Sequence, residues 1–159
     1  MRLSWCVTDD AQAMAEAHAQ AFTPGWREDE FEDLLDGEGI FGLLARDDQE
    51  RPVGVILCRI AADEMEVLTV GVAPAARRTG VGRALLDGAL AAAEQARAGA
   101  CFLEVAVDNE GAIALYEGLG FERAGLRKAY YDRGPEGFHD ALVMRRPLNA
   151  APASPYPDP

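Results

Sequence analysis

The first 72 residues alternate short apolar runs with polar segments, a pattern typical of strands joined by turns. The apolar runs predict strands over residues 3–7, 40–45, 53–60 and 65–72. A helix is predicted from Thr8–Asp10, which can cap it, to about Phe22, and a short acidic helix over Glu28–Leu35. The inner face of the first helix is expected to carry Ala13, Met14, Ala17, His18 and Ala21. The last three strands follow one another closely, so they predict an antiparallel meander.

The second half of the chain predicts a strand, a crossover helix and a parallel strand. The crossover helix spans 83–98, and the strand after it spans 101–105. In the crossover helix, apolar residues recur at helical spacing, at Ala84, Leu85, Ala89 and Ala92. Another helix begins at Asp108 or Asn109 and continues through Tyr116. Strands over 121–126 and 141–145 complete the sheet, linked by a loop that contains Tyr130, Tyr131, Gly134, Pro135, Gly137 and His139.

These elements predict one α/β (α+β) domain over residues 1–148, with a mixed central sheet of about six to seven strands and about four flanking helices. The remaining segment, 149–159, contains four prolines and little apolar material. We expect that tail to be disordered, because it cannot bury enough apolar surface to offset the entropy of ordering.

A basic, glycine-containing turn, Arg77–Arg83, lies between the predicted strand 65–72 and the crossover helix. A helix start offers unpaired amides and a partial positive charge, so this turn predicts a site for a phosphate. Two familiar phosphate motifs do not match it. A nucleoside-triphosphate loop ends in Gly-Lys and Ser or Thr, whereas the single lysine is Lys128, and a dinucleotide fingerprint needs glycine where Leu85 stands. The remaining interpretation of this turn is a site for a pyrophosphate that is bound mainly by backbone amides and arginines.

The composition indicates a globular protein: 159 residues, 49% hydrophobic and 26% charged. No window reaches the roughly 18 to 20 uncharged apolar residues of a membrane span. Because the first residues also lack a signal-peptide pattern, we expect a cytoplasmic protein. Cys6, Cys58 and Cys101 lie in apolar strand-like segments without metal-ligand spacing. They are expected to be small buried side chains, and no metal is expected.

The net charge of −12 is unevenly distributed, with −11 in residues 1–66 and −1 in residues 67–159. An acidic leading surface suits a cationic substrate, such as a basic peptide or an amine, and argues against a nucleic-acid groove. A surface that is acidic only for solubility fits the same charge.

Several segments resemble the GNAT acyltransferase superfamily. Val70-Gly71-Val72 and Arg77–Leu86 resemble its acetyl-coenzyme A site, whose pattern is Arg/Gln-x-x-Gly-x-Gly/Ala. Residues 102–105, 108–121, 130–131 and 140–144 are similar to the RimI-type members, the ribosomal-protein-alanine N-acetyltransferases. The similarity covers residues 1–148 and includes Phe22, Pro24 and Trp26 in the turn between the first two helices.

The resemblance implies the GNAT fold, acetyl-coenzyme A as co-substrate, and acetyl transfer to an amine. Glu104 would be the general base, and Tyr116 would protonate the departing thiolate, since the reference pKa of a phenol, about 10, is near that of a thiol. The expected cofactor-binding residues are Val70, Gly71, Val72, Arg77, Arg78, Thr79, Gly80, Val81, Gly82, Arg83 and Asn109. The expected substrate-binding residues are Trp26, Tyr130 and Tyr131.

The acceptor amine is predicted to be a protein N-terminus. An α-amine has a reference pKa of about 7.7 to 8.0, against about 10.4 for lysine, so far more of it is neutral at pH 7. The resemblance implies the N-terminal alanine of a small-subunit ribosomal protein. The relatives usually follow Leu-Glu-Val with Arg, whereas this chain has Ala106, which leaves peptide preference open. A small-amine acetyltransferase (polyamine, aminoglycoside or amino acid) and a non-catalytic acyl-coenzyme A-binding module stay open as alternatives; membrane binding is not expected.

Overall fold

The chain is organised around a seven-stranded sheet in a computed structural model that describes residues 1–132 and 138–148, with 129–132 and 138–139 described by their backbone alone. The strands are β1 (Arg2–Trp5), β2 (Ile40–Arg46), β3 (Pro52–Ala61), β4 (Glu64–Val72), β5 (Ala100–Ala106), β6 (Glu122–Asp132) and β7 (Phe138–Pro147). The helices are α1 (Ala11–Ala21), α2 (Glu28–Leu35), α3 (Val81–Gln95) and α4 (Glu110–Gly118). The strand order is β1-β2-β3-β4-β5-β7-β6. Helix α3 connects the neighbouring strands β4 and β5, and the last strand, β7, lies between β5 and β6.

The predicted fold class is confirmed. β2, β3 and β4 form the antiparallel meander, and β4 pairs with β5 in parallel after the α3 crossover. The predicted bounds of α3 were wrong at both ends. The helix begins at Val81, after Gly80 has turned the chain with a φ of 88°, and its last residue is Gln95. Arg97 then takes a φ of 61°, and the Ala98 amide donates to the Ala93 carbonyl at 2.9 Å, a helix ending usually marked by glycine.

The last two strands extend further into the segment predicted as a loop than expected. Tyr130 and Tyr131 lie in β6, and His139 lies in β7, where it is the register partner of Tyr131. Aromatic residues favour the pleated backbone, and that preference prevailed over the nearby glycines and proline. Gly134, Pro135 and Gly137 lie outside the described residues, as does the tail predicted to be disordered.

Two hydrophobic clusters cover opposite faces of the sheet. One face packs on α1 and α2 through Met14, Ala17, Phe31, Leu44 and Leu57, all of which are buried. The other face packs on α3 and α4, and its cluster extends across the sheet from β2 to β7. Its larger members include Ile56, Met65, Leu85, Leu86, Leu103 and Met144. Because neighbouring strand residues alternate between the faces, Glu104 of β5 points away from the face that buries Leu103 and Val105.

The cysteines have no disulfide partner. Cys58 and Cys101 are buried, as expected, whereas Cys6 lies just beyond β1 and is half-buried. Burial raises the pKa of the Cys6 and Cys101 thiols to about 12 and that of Cys58 well above its ordinary range. Among the described residues, no helix has the length and apolar character needed to cross a membrane.

Candidate functional site

The central feature of the site is a gap between the two parallel strands β4 and β5. Only three residue pairs join them, Glu64 with Ala100, Met65 with Cys101 and Glu66 with Phe102. Beyond those pairs β4 stays paired with β3, and β5 stays paired with β7. The strands therefore separate towards their carboxyl ends, where α3 and α4 follow, and open a gap through the middle of the sheet. Open α/β sheets commonly bind ligands where adjacent strands and their crossovers diverge in this way.

A bulge in β4 lies beside the gap. Leu57 of β3 pairs with Thr69, but Cys58 pairs with Val67, so Leu68 is an extra residue in β4. Bulges bend a strand and re-aim its groups. Here the bulge falls just after the last residue that pairs with β5, where β4 turns away from its parallel neighbour.

Alternate backbone groups of β4 face the gap. The Ala73 amide donates to the Val53 carbonyl at 2.8 Å, which fixes the antiparallel hydrogen-bonding pattern at this end of the strand. In that pattern every second residue points its N–H and C=O away from the partner strand, which here selects Val72 and Val70. The Val72 carbonyl indeed accepts a bond from the Arg77 guanidinium at 3.2 Å. Both residues therefore present polar backbone groups where β5 has departed.

Gly71, between these two residues, packs against α1 instead. A Cβ at that position would lie 2.9 Å from both the Ala21 Cβ and the Phe22 ring. The glycine thus allows the end of α1 and the following turn to approach β4 closely. Of the three predicted cofactor-binding residues in this strand, the geometry directs the backbone of Val70 and Val72 towards the gap and the α-carbon of Gly71 towards α1.

The basic turn leads directly into α3. Arg78 and Gly80 have φ values of 61° and 88°, and the Thr79 hydroxyl donates to the Ala76 carbonyl. Val81, Gly82 and Arg83 are the first residues of α3, where the amides of a helix lack intrahelical acceptors. The glycine, the amides and the exposed Arg77, Arg78 and Arg83 side chains fit an anionic pyrophosphate.

Gly82, at the start of α3, lies between β4 and α4. A Cβ at this position would be 3.5 Å from Leu115 of α4 and 3.6 Å from Val72 of β4. We expect Gly82→Val to weaken coenzyme A binding by about tenfold or more, equivalent to about 1.4 kcal/mol, because a branched side chain would fill the space between these elements. Isothermal titration calorimetry with coenzyme A measures the effect.

Ala91→Val is the matched control, because Ala91 is an exposed residue of the same helix and receives the same β-branched side chain. Its coenzyme A affinity should remain within about twofold of wild type. Equal affinities for the Gly82 variant and wild type would place the cofactor elsewhere.

Glu104 lies on the sheet face that carries α1 and α2. Its side chain is 22% exposed and meets Arg127 of β6 with Oε1 at 3.2 Å from Nη2. It lines an open groove of about 350 Å³ on that face. The groove residues are Arg59, Ala61, Glu64, Met65, Glu66, Phe102, Leu103, Glu104, Arg127 and Val143. A carboxylate paired with an arginine therefore lies at the side of the gap opposite α3 and α4.

Tyr116 lies in α4 and Asn109 directly precedes that helix, which packs on the other face of the sheet. Tyr116 is buried among the core residues of the α3 and α4 face, and its ring meets Phe121 edge-on at 6.0 Å. Asn109 is the N-cap of α4, since its side-chain oxygen accepts the Ala112 amide at 3.2 Å. The two predicted catalytic residues therefore lie on different faces of the sheet.

The turn between α1 and α2 is organised by His18. The Trp26 amide donates to His18 Nδ1 at 2.9 Å, so the ring proton is on Nε2, which lies 2.9 Å from the Thr69 hydroxyl at the β4 bulge. The His18 ring stacks with Phe22 and Trp26 and meets Phe31 edge-on. Burial lowers its pKa to about 4, although nearby Glu30 acts in the opposite direction. Trp26 is thus held in the wall of the turn, while the side chains of Tyr130 and Tyr131 fall outside the described part.

Two residues of the site, Arg127 and Thr69, were not among the predicted site residues. Arg127 contacts Glu104 across an intervening strand, and Thr69 joins the β4 bulge to His18. Neither contact has a local sequence signal, because each depends on strand register or on helix docking. His18 was placed on the inner face of α1 by its helical spacing alone, and its burial confirms that placement.

The architecture is that of an α/β domain with a sheet split between parallel strands, a helix start preceded by a basic turn on one side and a carboxylate on the other. The chain belongs to the acetyltransferase (GNAT) family, whose family model matches residues 11–121.

Known relatives agree with this membership. N-alpha-acetyltransferase RimI of Mycobacterium tuberculosis is 47% identical over 83 residues, which cover 52% of this chain and 49% of that protein. Thus the match at that identity spans only about half of the relative. The [ribosomal protein bS18]-alanine N-acetyltransferase of Salmonella typhimurium is 33% identical over 148 residues, 92% of this chain and 97% of the relative. The crystal structure of the ribosomal-protein-S18-alanine N-acetyltransferase from Escherichia coli superposes with a TM-score of 0.87 at 30% identity, covering 98% of both chains.

Proposed function

We propose that this chain is an acetyl-coenzyme A-dependent N-acetyltransferase that modifies the N-terminal α-amine of a protein. The observation that carries the proposal is the position of Glu104, a partly exposed carboxylate beside the gap, on the sheet face that carries α1 and α2. The family membership and the alignment with alanine N-acetyltransferases support it. We place this activity in one domain, residues 1–148, in the cytoplasm.

The residues around the gap fit acetyl-coenzyme A. The start of α3 and the arginines of the preceding turn would hold the pyrophosphate, and the gap-facing backbone groups of Val70 and Val72 would pair with the pantetheine arm as an added strand does. When bound, the co-substrate supplies the thioester whose acetyl group is transferred. The Val70 or Val72 amide would polarise the thioester carbonyl, and Asn109, at the start of α4, would contact the cofactor from the opposite wall.

In this mechanism Glu104 and Tyr116 move protons on opposite sides of the gap. Glu104 accepts a proton from the acceptor amine, directly or through water, as the new C–N bond forms. Tyr116 donates its phenolic proton to the sulfur as the C–S bond breaks, so the thiol leaves neutral. No metal is needed for these steps. Among the described residues, no group of three or more histidine, cysteine or acidic side chains is arranged to hold one.

The acceptor side of the molecule suits a cationic peptide. The exposed surface of α2 is acidic, whereas the groove beside Glu104 carries both signs, with Glu64 beside an ion pair of Glu66 and Arg59. The acidic residues exposed on α2 and directly after it are Glu28, Asp29, Glu32, Asp33, Asp36 and Glu38. Such a surface favours the approach of a positively charged N-terminal segment. We propose Trp26, Tyr130 and Tyr131 as substrate-binding residues and the N-terminal alanine of a small-subunit ribosomal protein as the preferred acceptor.

The acceptor is tested with labelled acetyl-coenzyme A and a set of peptides. An alanine-initiated basic peptide with a free N-terminus should be labelled, whereas the same peptide with a blocked N-terminus and free lysines should not. This difference is expected because the α-amine is neutral at pH 7 far more often than a lysine side chain. An acidic peptide of equal length tests the contribution of substrate charge. Label found only on lysines, or only on added polyamines and aminoglycosides, would contradict the proposed acceptor.

A further inference from the structure

The ion pair between Arg127 and Glu104 crosses an intervening strand. Glu104 lies on β5, Arg127 lies on β6, and β7 runs between them. Even so, Arg127 Nη2 lies 3.2 Å from Glu104 Oε1. The arginine side chain is 57% exposed and the glutamate side chain only 22%, so the guanidinium reaches inwards from the solvent side of the groove.

The small residues in this part of the sheet make the contact possible. Ala106 of β5 pairs with Ala141 of β7, and Ala141 pairs with Arg127 of β6. Residues directly opposite one another on adjacent strands project from the same face, and Glu104 shares that face because it is two residues from Ala106. Ala106 and Ala141 are 7% and 0% exposed and carry only methyl groups, so they leave room for the long arginine side chain above them.

We propose that Arg127 is a positioning residue that holds the Glu104 carboxylate at the acceptor side of the gap. The inference rests on the proposed function, because it assigns Arg127 a role only through the proton transfer to Glu104. A glutamate side chain has several rotatable bonds, and its effectiveness as a base depends on holding one productive geometry. An arginine anchored two strands away restricts that freedom without occupying the gap itself.

Arg127 could alternatively act by binding the acceptor directly. The two roles affect different kinetic constants. A residue that only binds the acceptor changes the KM for the acceptor, whereas one that orients the base changes kcat while Glu104 is present. A double-mutant cycle with Glu104 therefore separates them.

The experiment compares wild type, Arg127→Gln, Arg127→Lys, Glu104→Gln and the Arg127→Gln/Glu104→Gln double variant, using whichever amine the wild-type chain acetylates. Arg123→Gln is the matched control, because Arg123 is also an exposed arginine of β6 and pairs with a different glutamate, Glu117, at 3.6 Å. Thermal unfolding of each variant verifies that the fold is kept.

The expected result is a decrease in kcat of about tenfold for Arg127→Gln, an unchanged KM for acetyl-coenzyme A, and partial recovery in Arg127→Lys. In the Glu104→Gln background the same substitution should change kcat by less than about twofold, and Arg123→Gln should resemble wild type. An unchanged kcat in Arg127→Gln, an equal decrease in Arg123→Gln, or an undiminished effect without Glu104 would overturn the inference. Acetylation of lysines or small amines by wild type would contradict the proposed acceptor alone, since the cycle is then measured with that amine.

Discussion

Glu104→Gln is expected to lower kcat by about 10²- to 10⁴-fold, the usual contribution of a general base. Glutamine has nearly the shape of glutamate, but its amide does not accept the proton of the acceptor amine. Because Glu104 lies on the sheet face opposite α3 and α4, the coenzyme A site should be undisturbed. Steady-state kinetics with a peptide acceptor measure kcat, and calorimetry with coenzyme A should give a dissociation constant within about twofold of wild type.

Glu117→Gln provides the control for this substitution. Glu117 is an exposed glutamate of α4 that pairs with Arg123 at 3.6 Å, so the same chemical change removes a comparable surface ion pair away from the groove. Its turnover should stay close to wild type, since exposed ion pairs contribute little. Full activity of the Glu104 variant would remove that residue from the mechanism.

Acidification from pH 7 to pH 5 is expected to destabilise the chain by about 2 kcal/mol through His18 alone. Burial holds the folded-state pKa of His18 at about 4, whereas a histidine in the unfolded chain titrates near 6.5. Between these values the unfolded state binds more protons, so stability falls as the pH falls from about 6.5 towards 4. The full contribution of the neutral ring is present above pH 6.5, and the maximal loss below pH 4 is about 3 kcal/mol.

Urea unfolding of wild type and His18→Gln at pH 7, 6 and 5 measures this effect. The variant should be less stable than wild type at pH 7, because the stacked ring and its bond to the Trp26 amide are lost. Its stability should nevertheless fall less steeply with acidification, since the remaining titratable groups are common to both chains. Parallel pH dependences in the two chains would show that His18 has the same pKa in the folded and unfolded states, which would contradict the prediction.

The order and type of the elements could be predicted from the sequence because their signals are local. Apolar runs with polar boundaries located the strands, and the acidic helix over Glu28–Leu35 has the predicted bounds. The crossover helix was placed two residues late because Val81 and Gly82 read as part of the glycine turn, whereas in the structure only Gly80 takes the left-handed conformation there. Its end at Gln95 had no glycine to mark it, since Arg97 adopts the positive φ.

The candidate site was predictable only in part, for a physical reason. The basic turn is contiguous in sequence, so its position at the start of α3 follows from local order. The contact between Arg127 and Glu104 depends instead on the register of β5, β7 and β6, including the irregularities in β6. Likewise, the bond between His18 and Thr69 requires α1 to dock on β4 at the bulge. Such contacts are set by global packing, which no local pattern of residues encodes.

The sheet consists of two hydrogen-bonded halves, β1 to β4 and β5 to β7. The three residue pairs between β4 and β5 form a narrow connection between them. Each half exposes an interior strand edge at the gap, the kind of edge on which other chains can add strands. A ligand that bonds to those edges protects them and favours the folded chain by mass action, by about 2.7 kcal/mol at a concentration one hundred times its dissociation constant. Acetyl-coenzyme A would then stabilise the fold of the enzyme as well as serve as its reactant, and its cellular concentration would influence how much of the protein stays folded.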